Sequence, residues 1–357
     1  MDLRKIDSNF VNATVSRDDV IWYDAKKTPF SLHGIYFDKS EERFRRMPHD
    51  IALQINEYVD YLSAMTAGGR LRFITDSPFV AIKCVLGPET QSTSAASSGF
   101  AVYKDQSFCG VIYPNREQFN SASDNKIIFD GLRMPCNKGL GTIELDFPHH
   151  NGVYELYIGL QQGSKIQAAN NYSYKKPVVF YGSSITQGWS VSRTGNSYID
   201  LLSKKLDFDY INLGFAGRAK AEKEMVDYLA SLDVSAYVFD YDHNAPTIEH
   251  LQATYPYLYN TIRKMHPKTP ILMLSQPNFD SNPATAKNRR DYIRSIYINA
   301  KKSGDKFVFF VDGEKLFGKH DRESCTADCV HPNDLGFYRM YQTILPTMKK
   351  VIKRSVQ

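Results

Sequence analysis

Pro177-Val178-Val179-Phe180-Tyr181-Gly182-Ser183-Ser184-Ile185-Thr186 is an apolar run that ends in a glycine and two serines. A strand without polar alternation is covered on both faces, as in a parallel sheet. Four further runs follow it: Tyr210–Leu213, Ala236–Phe239, Ile271–Leu274 and Phe307–Val311. Helical patterns separate them. Ile293, Ile296, Tyr297 and Ala300 keep the i, i+3, i+4, i+7 spacing of an amphipathic helix. Leu251, Leu258, Ile262 and Met265 mark another. Tyr338, Tyr341, Leu345, Met348 and Ile352 form the stripe of a last helix that starts near Asp334. Strands alternating with helices predict a doubly wound, three-layer α/β fold.

Upstream of Pro177 the apolar period becomes two. Ile143, Leu145 and Phe147 alternate with Thr142, Glu144 and Asp146, and Val80, Ile82, Cys84 and Leu86 alternate with Phe79, Ala81 and Lys83. Such runs, broken at Ala67-Gly68-Gly69 and His150-Asn151-Gly152, predict half-buried antiparallel strands in an all-β sandwich or jelly roll. Ile51–Met65 fits a helix by its spacing and a strand by its Val, Ile and Tyr content. Pro88–Ser98 reads as a long loop. Gln161–Lys176 is the polar join. The chain divides into a β-sandwich, jelly-roll-like accessory domain at 1–168 and an α/β domain at 169–357.

The 357 residues are enough for two domains with proper cores. With 42% hydrophobic and 23% charged residues, disorder, collagen and coiled coil are excluded. A net charge of +5 without a dense Lys/Arg run gives no support to nucleic-acid binding. No apolar run is long enough for a membrane span. Met1-Asp2-Leu3-Arg4-Lys5 shows no apolar leader, so the chain reads as cytoplasmic, or as periplasmic or secreted if a leader was removed. Five cysteines, Cys84, Cys109, Cys136, Cys325 and Cys329, exclude a dense disulfide framework but not one or two bridges.

Ligands of open α/β sheets bind beyond the carboxyl ends of the strands. There the sequence places Gly182-Ser183-Ser184-Ile185-Thr186, Gly214-Phe215-Ala216-Gly217, Asp242-His243-Asn244, Gln276-Pro277-Asn278 and, before the last helix, Asp328-Cys329-Val330-His331-Pro332. These parts suit acyl transfer. A serine on a strand-to-helix turn offers a hydroxyl and its own N–H as an oxyanion donor. A glycine turn brings a second N–H close, and Asn244 has an amide donor. His331 can accept the serine proton while Asp328 holds its other ring nitrogen. Each residue alone also has an ordinary reading as a cap, turn or surface residue. The ordered set is what carries the chemistry.

In these four blocks the C-terminal half, from about Pro177 to Ile352, resembles the SGNH, or GDSL-like, hydrolase family. The resemblance implies Ser184 as nucleophile and Asp328 and His331 as its triad partners. It implies Ser184, Gly217 and Asn244 as the oxyanion hole. Asn212-x-Gly214-x-x-Gly217 matches the second block. Two positions depart from the pattern. Ser183 replaces the common aspartate beside the nucleophile, and Asp242 replaces the glycine of the third block, which would narrow the oxyanion pocket or reorient its turn. Glu144-Leu145-Asp146-Phe147-Pro148 and Tyr157-Ile158-Gly159-Leu160 resemble the β-sandwich that precedes the catalytic domain in two-domain bacterial members. Such members are often linked to carbohydrate deacetylation.

The expected function is a serine esterase acting on acyl esters, acetyl esters of carbohydrate foremost, through an acyl-enzyme and without a cofactor. Its partner is then a small-molecule or glycan ester. The alternatives are a lipid or thioester acyl hydrolase and a non-catalytic carbohydrate-binding protein. Trp189, Arg193 and His243 are candidates for the pocket wall. Cys325, Cys329 and His331 could form a metal site, but no fourth ligand is visible and a free-thiol or bridged loop is preferred, so no metal is expected.

Overall fold

Period-two alternation becomes sheet. The computed structural model describes residues 15, 17–88, 93–120, 126–134, 138–277 and 279–355. Its first half contains β1 (Val20–Asp24), β2 (Ser31–His33), β3 (Tyr36–Asp38), β4 (Arg43–Arg45), α1 (His49–Ile55), α2 (Glu57–Ser63), β5 (Arg70–Thr75), β6 (Val80–Leu86), α3 (Ser94–Ser97), β7 (Phe100–Lys104), β8 (Ser107–Ile112), α4 (Arg116–Asn120), β9 (Ile127–Arg133), β10 (Gly141–Asp146), β11 (Val153–Gln161) and β12 (Ile166–Gln167). One antiparallel sheet has the order β1-β11-β6-β9, and a second has β12-β5-β10-β7-β8 with β2 also on β5. In β10, Ile143 and Leu145 are buried while Thr142 and Glu144 are half-buried. The inward side chains of both sheets, among them Phe73, Ile82, Phe100, Ile143 and Leu156, form one core.

The apolar runs become a parallel sheet. The second half contains β13 (Tyr174–Gly182), α5 (Ser184–Gln187), α6 (Tyr198–Leu206), β14 (Phe208–Gly214), α7 (Lys223–Ser231), β15 (Ala236–Asp240), α8 (Ile248–Met265), β16 (Ile271–Leu274), α9 (Pro283–Lys302), β17 (Val308–Val311) and α10 (Asp334–Ser355). The strand order is β14-β13-β15-β16-β17. Val178 and Phe180 face the core made with α6 and α10. Val179 and Tyr181 face the core made with α7, α8 and α9. Both strand faces are buried, which is why no alternation was visible.

Several expectations change in detail. Ile51–Met65 is helical: α1 and α2 put Ala52, Val59 and Leu62 into the same core as α7 and α8. Residues 49–63 thus pack with the α/β sheet although they precede most of the sandwich. The join is not bare linker, because Ile166 and Gln167 pair with Thr75 and Ile74. Pro88–Ser98 holds a helical turn at α3, whose Thr93 cap accepts from the Ala96 N–H; residues 89–92 lie outside the described residues. In α10 the expected stripe holds at Met348 and Ile352 and shifts at its start. Phe337, Met340, Ile344, Met348, Val351 and Ile352 are buried, while Tyr338 is 49% exposed. In α8, Met265 is likewise exposed.

Candidate active site

The nucleophile turn is built by close approach. A side chain at Gly182 would strike Thr186 Oγ1 and the Asp240 carbonyl, so only glycine lets β13 end this tightly. Ser183 caps the short helix α5, its hydroxyl accepting from the Ile185 N–H. Ser184 is the first helical residue, where the N–H has no intrahelical acceptor. Gly188 ends the turn with φ of 99°, and a side chain there would strike the His149 ring.

The Asp-His loop is fixed by one carboxylate. Asp328 Oδ1 accepts from the N–H groups of Val330 (3.0 Å) and His331 (2.7 Å), while Oδ2 meets His331 Nδ1 at 2.6 Å. The ring is thereby oriented, and its Nε2 lies 2.9 Å from Ser184 Oγ. With Nδ1–H donating to Asp328, Nε2 is the atom left to accept the serine proton. Burial acts to raise the Asp328 carboxyl, but the bonds from His331 and Val330 outweigh it and hold the group below its ordinary value. Behind the loop, the Ala327 N–H donates to the His331 carbonyl (2.9 Å), and the Asn333 side chain accepts from the Gly336 N–H at the start of α10.

The second glycine turn packs onto the first. The Phe215 N–H donates to the Gly182 carbonyl (2.9 Å), and the Ala216 N–H donates to Gln187 Oε1 (3.2 Å). Gly217 is exposed with φ of 69°, and its N–H has no partner among the described residues. The Ala219 N–H donates to Asn244 Oδ1 (3.3 Å), which leaves the Asn244 NH₂ as a donor beside this turn. Asp242 is turned to the interior. Its side chain is fully buried and accepts from the Gln276 N–H (3.1 Å), tying the end of β15 to the end of β16. Arg289 of α9 donates to the Asp242 and Ala245 carbonyls and holds the turn from below.

Of the wall candidates, Trp189 is brought to the triad. Its N–H donates to the Ser184 carbonyl (2.9 Å), and its ring centroid lies 5.9 Å from that of His331. Arg193 turns toward the sandwich: it lies 3.9 Å from the Phe108 ring centroid and donates to Tyr103 OH, the Thr194 carbonyl and Asn196. His243 is half-buried in the turn with Asn244. Asn278 and Cys136 lie outside the described residues. Cys325 and Cys329 carry free thiols, not a bridge. Cys325 Sγ is buried against Arg339. Among the described residues no cluster of three His, Cys, Asp or Glu is placed to hold a metal ion, and no helix is long and apolar enough to cross a membrane.

Sequence reasoning missed what the sandwich half supplies. His150 is fully buried, its ring centroid 4.8 Å from that of Trp189. Burial, then the neighbouring His149, pushes its imidazole down to about 3, so it stays neutral. Gln187 Nε2 reaches the His149 carbonyl (3.4 Å) and His150 Nδ1 (3.5 Å), so one buried amide spans the nucleophile turn, the glycine turn and the sandwich. Arg46 donates to the carbonyls of Leu62, Met65, Asn212 and Gly214 and lies over the Phe215 ring. The signal for these was faint: a His-His pair before a turn, and a glutamine three positions after the serine.

Two acids lie beneath the site. Asp240 accepts from Thr186 (3.1 Å) and Tyr198 (3.2 Å); burial, then the Asp242 charge, pushes it up to about 8. Burial also pushes Asp242 up to about 6. An acid whose folded value is raised binds its proton more tightly when folded. Its contribution is full below the unfolded value near 4 and is lost as pH rises through the folded one. Wild-type stability is therefore expected to fall between about pH 4 and 8 through Asp240, joined by Asp242 only up to about pH 6, by up to roughly 1.4 kcal/mol per pH unit for each group. Asp240→Asn should flatten that decline. Urea midpoints of both proteins at either end of this range check it; parallel pH profiles would refute it.

The comparisons agree with this architecture. The sequence profile of the GDSL-like lipase/acylhydrolase family matches residues 175–349, and that of the N-terminal region of SGNH-hydrolase-type esterases matches residues 20–166. No curated protein matches significantly. Among solved structures, a protein assigned as a GDSL-like lipase from Bacteroides ovatus is 26% identical with a TM-score of 0.80, over 94% of this chain and 98% of its own. The salicylyl-acyltransferase SsfX3 from a tetracycline biosynthetic pathway shares the fold at 20% identity and a TM-score of 0.74, over 94% and 98%. An acetyl xylan esterase from Butyrivibrio proteoclasticus does so at 12% and 0.57, over 94% and 99%. The fold and the profiles define an ester-hydrolysing enzyme. The chain belongs to the SGNH, or GDSL-like, hydrolase family, in its two-part form with an N-terminal β-sandwich.

Proposed function

We propose that the protein is a serine esterase that removes small acyl groups, acetyl foremost, from carbohydrate esters. The observation that carries this reading is the chain of contacts from Ser184 Oγ through His331 Nε2 and Nδ1 to Asp328 Oδ2, at 2.9 and 2.6 Å. Ser184 Oγ attacks the ester carbonyl as His331 takes its proton. The oxyanion forms between the N–H groups of Ser184 and Gly217 and the Asn244 amide. His331 then gives the proton to the departing sugar hydroxyl, leaving an acyl-enzyme. Water, deprotonated by His331, attacks that ester, and the acid leaves as Ser184 regains its proton. Asp328 stays ionised throughout and orients the ring.

A small acyl group is favoured by the wall around His331, where Trp189 stands backed by buried His150. A sugar alcohol is favoured by the fold shared with the acetyl xylan esterase. The test is acid release from acetylated sugars and from acyl esters of increasing chain length. Acetyl esters should exceed long-chain esters in kcat/KM by roughly 10-fold or more, the scale of one to three kcal/mol in a shaped pocket. A preference for long chains, or turnover of esters but of no acetylated sugar, would overturn this assignment.

A further inference from the structure

The arginines differ in what answers their charge. Arg45, Arg70, Arg263, Arg290 and Arg322 each face a carboxylate. Arg46 and Arg289 are buried on backbone carbonyls. Arg218 differs from both groups. It follows Gly217 directly, and its N–H closes the turn onto the Phe215 carbonyl (3.0 Å). Its half-buried side chain lies 3.9 Å from the centroid of the Tyr58 ring of α2, a seat provided by the other half of the chain. Among the described residues its guanidinium has neither a hydrogen bond nor an ion pair. Stacking on an aromatic face fixes the plane of a guanidinium while leaving its in-plane donors free.

The turn before it is open: a side chain placed on Gly217 would meet nothing within 4 Å. Neighbouring Cα atoms are about 3.8 Å apart, and an arginine side chain reaches farther than that. The acidic residue beside Tyr58 does not answer the charge: Glu57 is exposed and makes no ion pair with Arg218.

We infer that Arg218, seated on Tyr58, recognises a carboxylate on the alcohol portion of the ester, which makes acylated acidic sugars the substrate class. This rests on the triad reading of Ser184 and names the substrate of that same site. A planar fork of donors matches a carboxylate in two parallel bonds, the stronger class of hydrogen bond.

The experiment compares acetate release from acetylated glucuronic acid and from acetylated glucuronamide, which differ only in that charge. The wild type should favour the acid in kcat/KM by roughly 10-fold at low salt, a preference that shrinks as ionic strength rises. In Arg218→Gln the ratio should approach one. Arg218→Lys, which keeps the charge and loses the fork, should fall between. Equal rates on the two sugars in the wild type, or a preference that survives Arg218→Gln, would overturn the inference. Failure of the triad reading looks different: Ser184→Ala would then still release acetate from both sugars.

Discussion

Ser184→Ala is expected to lower kcat on an acetyl ester by about 10⁴-fold or more, with KM changed little and the fold intact. The size follows from what the oxygen does. In the proposed mechanism it forms the covalent bond, and its proton is the one His331 moves, so its loss would remove both steps of the reaction. What would survive is the proposed oxyanion hole, because the Ser184 and Gly217 N–H groups belong to the backbone. That remainder alone still accelerates water attack. Folding should not suffer. Ser184 is 5% exposed, its hydroxyl bonds only to His331 in the described structure, and alanine removes one atom while favouring a helical turn. Circular dichroism and the melting temperature would verify that. A variant retaining a tenth of wild-type turnover would remove Ser184 from the nucleophile's role.

Arg46→Ala is expected to reduce stability by about 3–5 kcal/mol, or the melting temperature by roughly 10 °C. The side chain answers four carbonyls, two from its own half and two from β14. Alanine removes a donor from all four; the Leu62 carbonyl keeps the Met65 N–H (3.2 Å), and each of the others left without a partner costs about 1–3 kcal/mol before relaxation. Burial, helped by the charge of Arg45, pushes the guanidinium down to about 9. It therefore keeps its proton and all its donors at neutral pH. Arg46→Lys retains a charge but not the planar fork, so its loss should be intermediate. Thermal unfolding of the three proteins decides the matter. A melting point within two degrees of wild type for Arg46→Ala would show that water or repacking satisfies those carbonyls.

Much of this arrangement was legible in the sequence because it depends on local rules. Largely apolar runs marked the five parallel strands, since burial on both faces leaves few polar positions in them. The turns after them carried the nucleophile block and the Asp-x-x-His loop, where the Asp328 carboxylate bonds within three residues of itself. What depends on packing direction was less visible. The stripe on α10 was right at Met348 and Ile352 but off at its start, because that helix is amphipathic over a wide arc and only its neighbours select Phe337 over Tyr338. Gln187, His150 and Arg46 escaped entirely. Their partners lie 29, 37 and 166 residues distant, and no spacing rule reaches that far. Asp242 was read as a disturbance of the third block, whereas its carboxylate bonds to the neighbouring strand's turn instead.

The clamp between Arg46 and β14 also bears on how such proteins can be recombined. The oxyanion turn of one half takes its shape from a side chain of the other, and α1 and α2 share a core with the parallel sheet. An exchange of sandwiches between relatives that broke this fit would leave the triad intact in sequence yet loosen the turn that receives the transition state. The two halves therefore fit as a matched set, and residues 46–65 belong by packing with the sheet they serve rather than with the strands around them.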